Sequence, residues 1–277
     1  MPLKKLTLKA GINKEITRYS AENGWYDCDK IRFRQQFPEK IGGWQRISQN
    51  SFQGVCRSLW AWLTLSNQKL VAVGTNLKFY LELGGTYYDI TPLRASTTNS
   101  TTFAATNGST TLTVTDSSHG AKIDDFVTFS SAVSLGGAIT ATVLNIEYQI
   151  VTVPSANTYT VTASVAANAS DSGNGGSATD SAYQISPGPA VPVPLGGWGA
   201  GAWSDGTWGN GGTSTVSLRT WSQSNFGQDL IFGPKQGPIY YWTADDTVTT
   251  RGVLLSSLSG VSDVPTVQNL ILISDIN

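Results

Sequence analysis

Three cations recur at alternate positions in the segment Lys30-Ile31-Arg32-Phe33-Arg34. Successive side chains of a β-strand point to opposite faces, so a strand here would place Lys30, Arg32 and Arg34 on one face. Such a row suits carboxylates or phosphates, and the planar guanidinium of arginine fits either group. The cations can face a neighbouring subunit or DNA, or they can pair within the chain. The acidic residues available for internal pairs are Asp27, Asp29 and Glu39.

Tryptophans recur every five residues in a glycine-rich segment, at Trp198, Trp203 and Trp208. Aromatic side chains are common at protein interfaces, and their rings can also stack on sugars. Two roles therefore stay open for these tryptophans. Packing against a neighbouring domain or chain is favoured over carbohydrate binding.

The remaining reactive side chains form no catalytic pattern. His119 is the only histidine and lies in a predicted exposed turn, so neither a Ser-His-Asp group nor a histidine-rich zinc site can be assigned. The acidic pairs Asp124-Asp125 and Asp245-Asp246 also lie in predicted turns. Cys28 and Cys56 lack Cys-x-x-Cys spacing, and we expect both to be reduced core residues. We predict no enzymatic activity, no metal site and no cofactor.

The composition predicts an all-β fold. The chain has 277 residues, of which 40% are hydrophobic and 13% charged, with 29 Gly and 11 Pro. Such a mixture can bury a core, and it favours short strands and turns over long helices. The sequence has no signal-peptide pattern and no apolar run near the roughly 18 residues of a membrane helix, so we expect a soluble protein without membrane insertion.

Two segments show the same order of four short strands. The first set is predicted at residues 58–62, 70–73, 79–83 and 87–90, and the second at 218–221, 230–232, 239–242 and 249–255. Four short strands per unit are typical of a β-propeller blade. Between the two sets, alternating Ser, Thr and Val residues predict an inserted small β-sandwich-like domain.

The sequence thus predicts a partial β-propeller interrupted by an inserted domain. Residues 1–94 would hold an N-terminal strand segment and the first blade, 95–186 the inserted domain, 187–216 a Gly/Trp-rich linker, and 217–277 the second blade and the start of a third. Propellers have four or more blades. We therefore expect the chain to be the N-terminal part of a longer polypeptide, or partner chains to complete the sheets.

Charge is distributed unevenly along the chain. Residues 1–94 contain 14 Lys and Arg against 7 Asp and Glu, a net charge of +7, whereas residues 95–277 carry −8. Such asymmetry predicts contact with a charged partner, either nucleic acid or another chain of opposite sign.

Three motifs near the N-terminus resemble the opening of the nozzle or tail-hub proteins of short-tailed bacteriophages. They lie at residues 11–13, 24–34 and 38–44, and the likeness recurs at 196–203, 221–231 and 265–269. The resemblance implies a structural virion protein, assembled in the host cytoplasm as a hexameric ring around the DNA exit channel. It supplies no catalytic residue.

The same resemblance implies a set of partners. They are further copies of the chain, the portal and adaptor proteins, tail fibre or spike proteins, and double-stranded DNA in transit. Residues 95–277 are then candidates for an acidic lumen wall, and Lys30, Arg32 and Arg34 for contacts with neighbours of opposite sign. The alternative function is a carbohydrate-binding or tailspike-like host-recognition module, and a hydrolase acting on the cell envelope is a third possibility.

Overall fold

The structure is a computed structural model that describes residues 9–20, 22–43, 46, 48–188, 220–244 and 247–274. Within these residues nearly all regular structure is antiparallel β-sheet, and the predicted all-β class is confirmed. No helix in these ranges has the length and apolar character needed to cross a membrane. The chain forms two compact units, Met1–Ile47 and Ser48–Asn277.

The first unit contains a single hairpin among its described residues. Strand β1 (Ile31–Arg34) pairs antiparallel with β2 (Phe37–Lys40). The two turn residues, Gln35 and Gln36, both have positive φ angles, 49° and 72°. Positive φ at both central positions is the backbone of a type I′ turn, whose twist matches that of the flanking strands.

The second unit begins with a four-stranded antiparallel sheet, hereafter the first sheet. Its strands follow chain order: β3 (Cys56–Leu63), β4 (Lys69–Thr75), β5 (Phe79–Leu83) and β6 (Thr86–Asp89). Strand alternation places Trp62, Leu70 and Phe79 on one face, where they are buried.

The next eight strands form one continuous sheet, hereafter the inserted sheet. They are β7 (Leu93–Thr97), β8 (Thr102–Ala105), β9 (Thr111–Thr115), β10 (Phe126–Ser130), β11 (Glu147–Ser155), β12 (Thr158–Thr162), β13 (Asp171–Asn174) and β14 (Asp180–Gln184). Their spatial order is β13-β8-β9-β12-β11-β10-β14-β7. A short helix, α1 (Ala141–Leu144), precedes β11 and begins at Thr140, whose side chain accepts a hydrogen bond from the Val143 N–H.

The inserted sheet folds over on itself. Three strands lie between β8 and β10 in the sheet order, yet the ring centres of Phe103 in β8 and Phe129 in β10 lie 4.9 Å apart. Tyr159 in β12 and Tyr183 in β14 likewise meet through their hydroxyls at 3.0 Å. Register shifts within the long strand β11 accompany this folding. The result is a sandwich-like body with its own buried core.

A second four-stranded sheet follows the inserted sheet and has the strand order of the first. It contains β15 (Trp221–Phe226), β16 (Asp229–Pro234), β17 (Tyr240–Trp242) and β18 (Val253–Leu254), and a 3-10 turn follows at Leu255–Ser257. The predicted start of a third blade would place a strand in the apolar residues 270–273, and no strand forms there. Pairing near it is limited to an isolated bridge between Gly237 and Gln268.

The first and second sheets pack face to face. The Phe79 ring stacks on Phe232 with centres 4.2 Å apart and lies 4.7 Å from Trp221. The Trp221 indole N–H donates to the Thr75 carbonyl at 2.6 Å, and the Trp62 indole N–H donates to that of Gln228 at 2.9 Å. Apolar burial and satisfied indole donors together fix the two sheets as a stack.

Gly74 allows this close approach, and its replacement gives a first testable prediction. A Cβ added at Gly74 would overlap the Trp221 ring and the Ser58 side chain. We expect Gly74→Ala to lower the free energy of unfolding by about 1–3 kcal/mol through overpacking. Urea unfolding followed by tryptophan fluorescence measures the change. Gly252→Ser tests the same reasoning at a second glycine, where a Cβ would overlap the Phe232 ring. An unchanged unfolding curve for Gly74→Ala would show that the two sheets can move apart at this position without loss of stability.

Candidate functional site

The hairpin of the first unit carries the cations singled out from the sequence. Arg32 and Arg34 are exposed and alternate with half-buried Ile31 and Phe33, as the strand prediction required. Lys30 lies outside the strand, because its φ of 57° interrupts the extended backbone one residue earlier. The predicted row of three cations on one strand face is therefore reduced to two, with Lys30 exposed next to them.

Internal pairing accounts for one of the three charges. The Arg32 Nε donates to Glu39 at 3.1 Å, directly across the hairpin. Asp27 pairs instead with Lys14, and the hydrogen bond and charge of that ammonium lower the Asp27 pKa. Among the residues the structure describes, Lys30 and Arg34 form no ion pair. Lys40 at the end of β2 is exposed and likewise forms no ion pair in the described part of the chain. The hairpin therefore presents three uncompensated cations, Lys30, Arg34 and Lys40, to solvent or to a partner.

Several candidate residues lie elsewhere than expected or outside the described ranges. Trp198, Trp203 and Trp208 fall outside the described residues, as does the pair Asp245-Asp246. Cys28 and Cys56 are free thiols, as expected, but the core position predicted for Cys56 is wrong. Cys56 is exposed because it begins an edge strand, which has a neighbour on only one side.

The loop between β9 and β10 turns Asp116 and His119 into the core, although most of its residues are exposed. His119 is only 3% exposed, its Nδ1 accepts from the Ala121 N–H at 3.0 Å, and its Nε2 lies 3.2 Å from the Ser155 carbonyl oxygen. Asp116, also buried, accepts from the Thr97, Ser100 and Tyr183 hydroxyls. The exposed-turn prediction for His119 is wrong because the loop packs against the folded core of the inserted sheet.

A buried charge cluster joins the three sheets of the second unit. The Lys78 ammonium lies 2.9 Å from an Asp89 oxygen, contacts the Glu147 carboxylate and lies 4.3 Å from the centre of the Phe126 ring. The Arg251 guanidinium lies 3.5 Å from Asp89 and 3.6 Å from Glu147. Asp89 and Lys78 belong to the first sheet, Glu147 to the inserted sheet, and Arg251 to the segment before β18.

Burial and the neighbouring charges shift the Asp89 pKa in opposite directions. Burial alone would raise the Asp89 pKa, but the charges of Lys78 and Arg251 and the hydrogen bonds from Thr91 and Lys78 outweigh it and lower that pKa. Glu147 also contacts the Gln184 side-chain amide, so the carboxylates are held by several donors. We assign this charge cluster a structural role, because Lys78 is buried, the other three charges are partly buried, and each charge has a partner of opposite sign.

A cleft of about 260 Å³ separates the inserted sheet from the second sheet. Arg94, Lys122, Asp125 and Ser186 form its polar side. Ile185, Pro234, Pro238 and Tyr240 form the apolar side, and Gly120 completes the lining. The Asp125 carboxyl is buried and accepts from the Lys122 backbone N–H at 2.8 Å, while burial raises its pKa.

Sequence reasoning missed both the charge cluster and the cleft. Lys78 and Glu147 are 69 positions apart, and the cleft is lined by residues from Arg94 to Tyr240. Neither feature follows from local periodicity, because each depends on how whole sheets pack. No group of three or more metal-ligating side chains suited to an ion occurs in the described part of the chain.

Comparisons with known proteins add one structural similarity. No family model matches the chain, and no curated protein does so. Among solved structures, the chain is similar to the phage phi92 endosialidase, with 17% identity and a TM-score of 0.30. The match covers 73% of this chain and 28% of that one. A similarity of this size carries no argument about fold or activity.

Proposed function

We propose that this chain is a structural component of a bacteriophage tail, a ring-forming nozzle or hub protein below the portal and adaptor proteins. In this role it forms part of the DNA exit channel and docks other tail components. The motifs at residues 11–13, 24–34 and 38–44 support the proposal by their resemblance to that family. The proposed function is mechanical and electrostatic, and it requires no catalytic residue.

The observation that carries the proposal is the stack of two blade-like sheets, each of which exposes a large apolar side chain on its outer face. Leu59 and Leu63 lie on the face of the first sheet opposite Trp62, and they are 65% and 58% exposed. Phe226, on the outer face of the second sheet, is 57% exposed. Exposed apolar side chains at both ends of a sheet stack favour packing against further blades, as in radial β-sheet assemblies.

Charge supports an assembly around DNA. The first unit holds ten Lys and Arg against five Asp and Glu, a net charge of +5, and the second unit carries −6. The opposite net charges of the two units favour contact between the first unit of one copy and the second unit of the next. Such head-to-tail contacts close into a ring when the rotation between successive copies divides a full turn evenly. An acidic wall repels the phosphate backbone, so DNA would pass without adhering to it.

The implied partners follow from this role. We propose a homo-oligomer, expected to be a hexamer, which contacts portal and adaptor proteins above and tail fibre or spike proteins below. Its location would be the virion tail. Electron microscopy of the purified assembly tests the proposal directly: a six-fold ring with a central channel supports it, and a monodisperse monomer contradicts it.

Removal of the hairpin cations gives a second prediction. We expect the combined replacement of Lys30, Arg32 and Arg34 by alanine to raise the protein concentration needed for half-assembly by roughly tenfold or more, since close charge pairs steer and stabilise association. Mass photometry across a dilution series at low salt measures this concentration.

A matched control removes the same number of charges from the second unit. Lys69, Lys122 and Lys235 are exposed, and their combined replacement by alanine should leave assembly unchanged. If both triple variants assemble like the parent protein, the hairpin does not form the interface. If both fail equally, net charge rather than the hairpin controls assembly.

A second candidate function is a carbohydrate-binding or tailspike-like module. The cleft favours it, because charged side chains and an apolar wall converge there on a space of small-molecule size. Glycan-array binding by a monomeric protein would support this function over the ring-forming one. Absence of binding to any host polysaccharide would contradict it.

A further inference from the structure

We propose that the cleft binds a sugar acid of monosaccharide size, a ring that carries a carboxylate beside hydroxyl groups. This inference names the ligand class of the second candidate function and rests on it, but it does not depend on ring formation. Three parts of the cleft carry the argument: a preorganised guanidinium, a second cation next to a buried carboxyl, and an apolar wall.

The guanidinium of Arg94 is held in position before any ligand arrives. Its Nη2 donates to the His119 carbonyl oxygen at 3.0 Å, and its central carbon lies 5.4 Å from the centre of the Tyr183 ring. Gly120 leaves room for it, because a Cβ there would lie 3.2 Å from Nη1. A fixed guanidinium loses little freedom on binding, and its planar donors match a carboxylate.

Lys122 and Asp125 supply the other polar contacts. Both line the cleft, so its three charged side chains comprise two cations and one carboxyl group. An anionic ligand balances the excess of positive charge, and a hydroxyl next to the ligand's carboxylate can donate to Asp125. A simple aliphatic acid would satisfy the cations but would offer no donor to the buried carboxyl.

The apolar wall of the cleft, meaning its aliphatic lining residues, suits the carbon face of a sugar ring. Ile185, Pro234 and Pro238 form it, and the Gln268 side-chain amide donates to the Pro234 carbonyl at 2.9 Å. The pairing of Gly237 with Gln268 also braces this turn. A volume of about 260 Å³ lies just below the range of sites for drug-sized ligands, as expected for a single sugar residue.

Calorimetric titration with glucuronate, glucose and acetate tests the inference on the whole protein. We expect glucuronate to bind at least roughly tenfold more tightly than either glucose or acetate, because only glucuronate meets both the cations and the wall. Lys122→Gln, at an exposed position, should weaken glucuronate binding by about the same factor. Arg94→Gln should weaken it at least as much.

The control variant is Lys69→Gln, which removes an equally exposed lysine far from the cleft and should bind like the parent protein. Urea unfolding of each variant separates loss of binding from loss of folding. Equal affinity for glucuronate and glucose overturns the proposal, as does unchanged binding by Lys122→Gln. Tight binding of acetate overturns the role of the wall and of Asp125. Host-polysaccharide binding without glucuronate binding overturns this ligand class while leaving the second candidate function standing.

Discussion

Replacing Phe79 by alanine is expected to lower the free energy of unfolding by about 3–5 kcal/mol, because a fully buried aromatic ring is removed from a packed interface. Phe79 is 0% exposed and contacts Phe232 and Trp221, which belong to the opposite sheet. Neighbouring side chains can only partly fill the resulting cavity, since both rings are anchored in strands. Urea unfolding measured by tryptophan fluorescence and by circular dichroism gives the change.

Phe226→Ala is the matched control for this prediction. Phe226 lies in the second sheet, but its ring is on the outer face and mostly exposed. Its truncation in the monomeric protein should change stability by no more than about 0.5 kcal/mol. Similar losses in the two variants would mean that the face-to-face packing of the sheets contributes no more than surface contacts do. The Phe226 variant also informs the proposed function, because loss of assembly at unchanged stability would place its outer face in an interface.

Strand positions in the first sheet were predictable because they depend on local patterns, whereas the first strand of the second sheet was predicted at 218–221 and forms at Trp221–Phe226. Alternation, aromatic and β-branched residues, and Gly- or Asn-containing turns predicted β4, β5 and β6 to within two residues at either end. The strand expected at 270–273 did not form although its residues are apolar and β15 has a free edge. The Ile271 N–H donates to the Ser222 hydroxyl of β15 rather than to its backbone, so the segment contacts the sheet without extending it. Periodicity reports which segments can pair and says nothing about which contact they make.

Burial of polar residues was not predictable from the same patterns. The loop holding Asp116 and His119 has the composition of a solvated turn, and only the folding of the inserted sheet encloses it. Lys78 shows the same limit, because a lysine beside a turn is normally exposed. Its burial depends on carboxylates from two different sheets, and such contacts arise from tertiary packing alone.

Replacing Lys78 by methionine removes its charge, and the effect can be measured both on stability at pH 7 and on the dependence of stability on pH. We expect Lys78→Met to lower the free energy of unfolding by about 2–4 kcal/mol at pH 7, because the methionine retains the stem but leaves the partly buried Asp89 and Glu147 with Arg251 as their only cation. Lys69→Met, at an exposed site in the same sheet, should stay within about 0.5 kcal/mol of the parent protein. Urea unfolding at a series of pH values measures both variants.

The pH dependence distinguishes loss of a charge from loss of packing. In the parent protein the Asp89 pKa lies below its ordinary value, so its contribution to stability is present above the pKa of the unfolded chain and is lost as pH falls through the folded pKa. Lys78→Met removes the largest of the causes that lower the Asp89 pKa and leaves Arg251 and Thr91 in place, so the folded pKa moves up toward the unfolded one. The loss of stability on acidification below about pH 5 should then be smaller in Lys78→Met than in the parent protein. Parallel profiles would show that Lys78 acts through packing, and the three sheets would then be joined by shape rather than by charge.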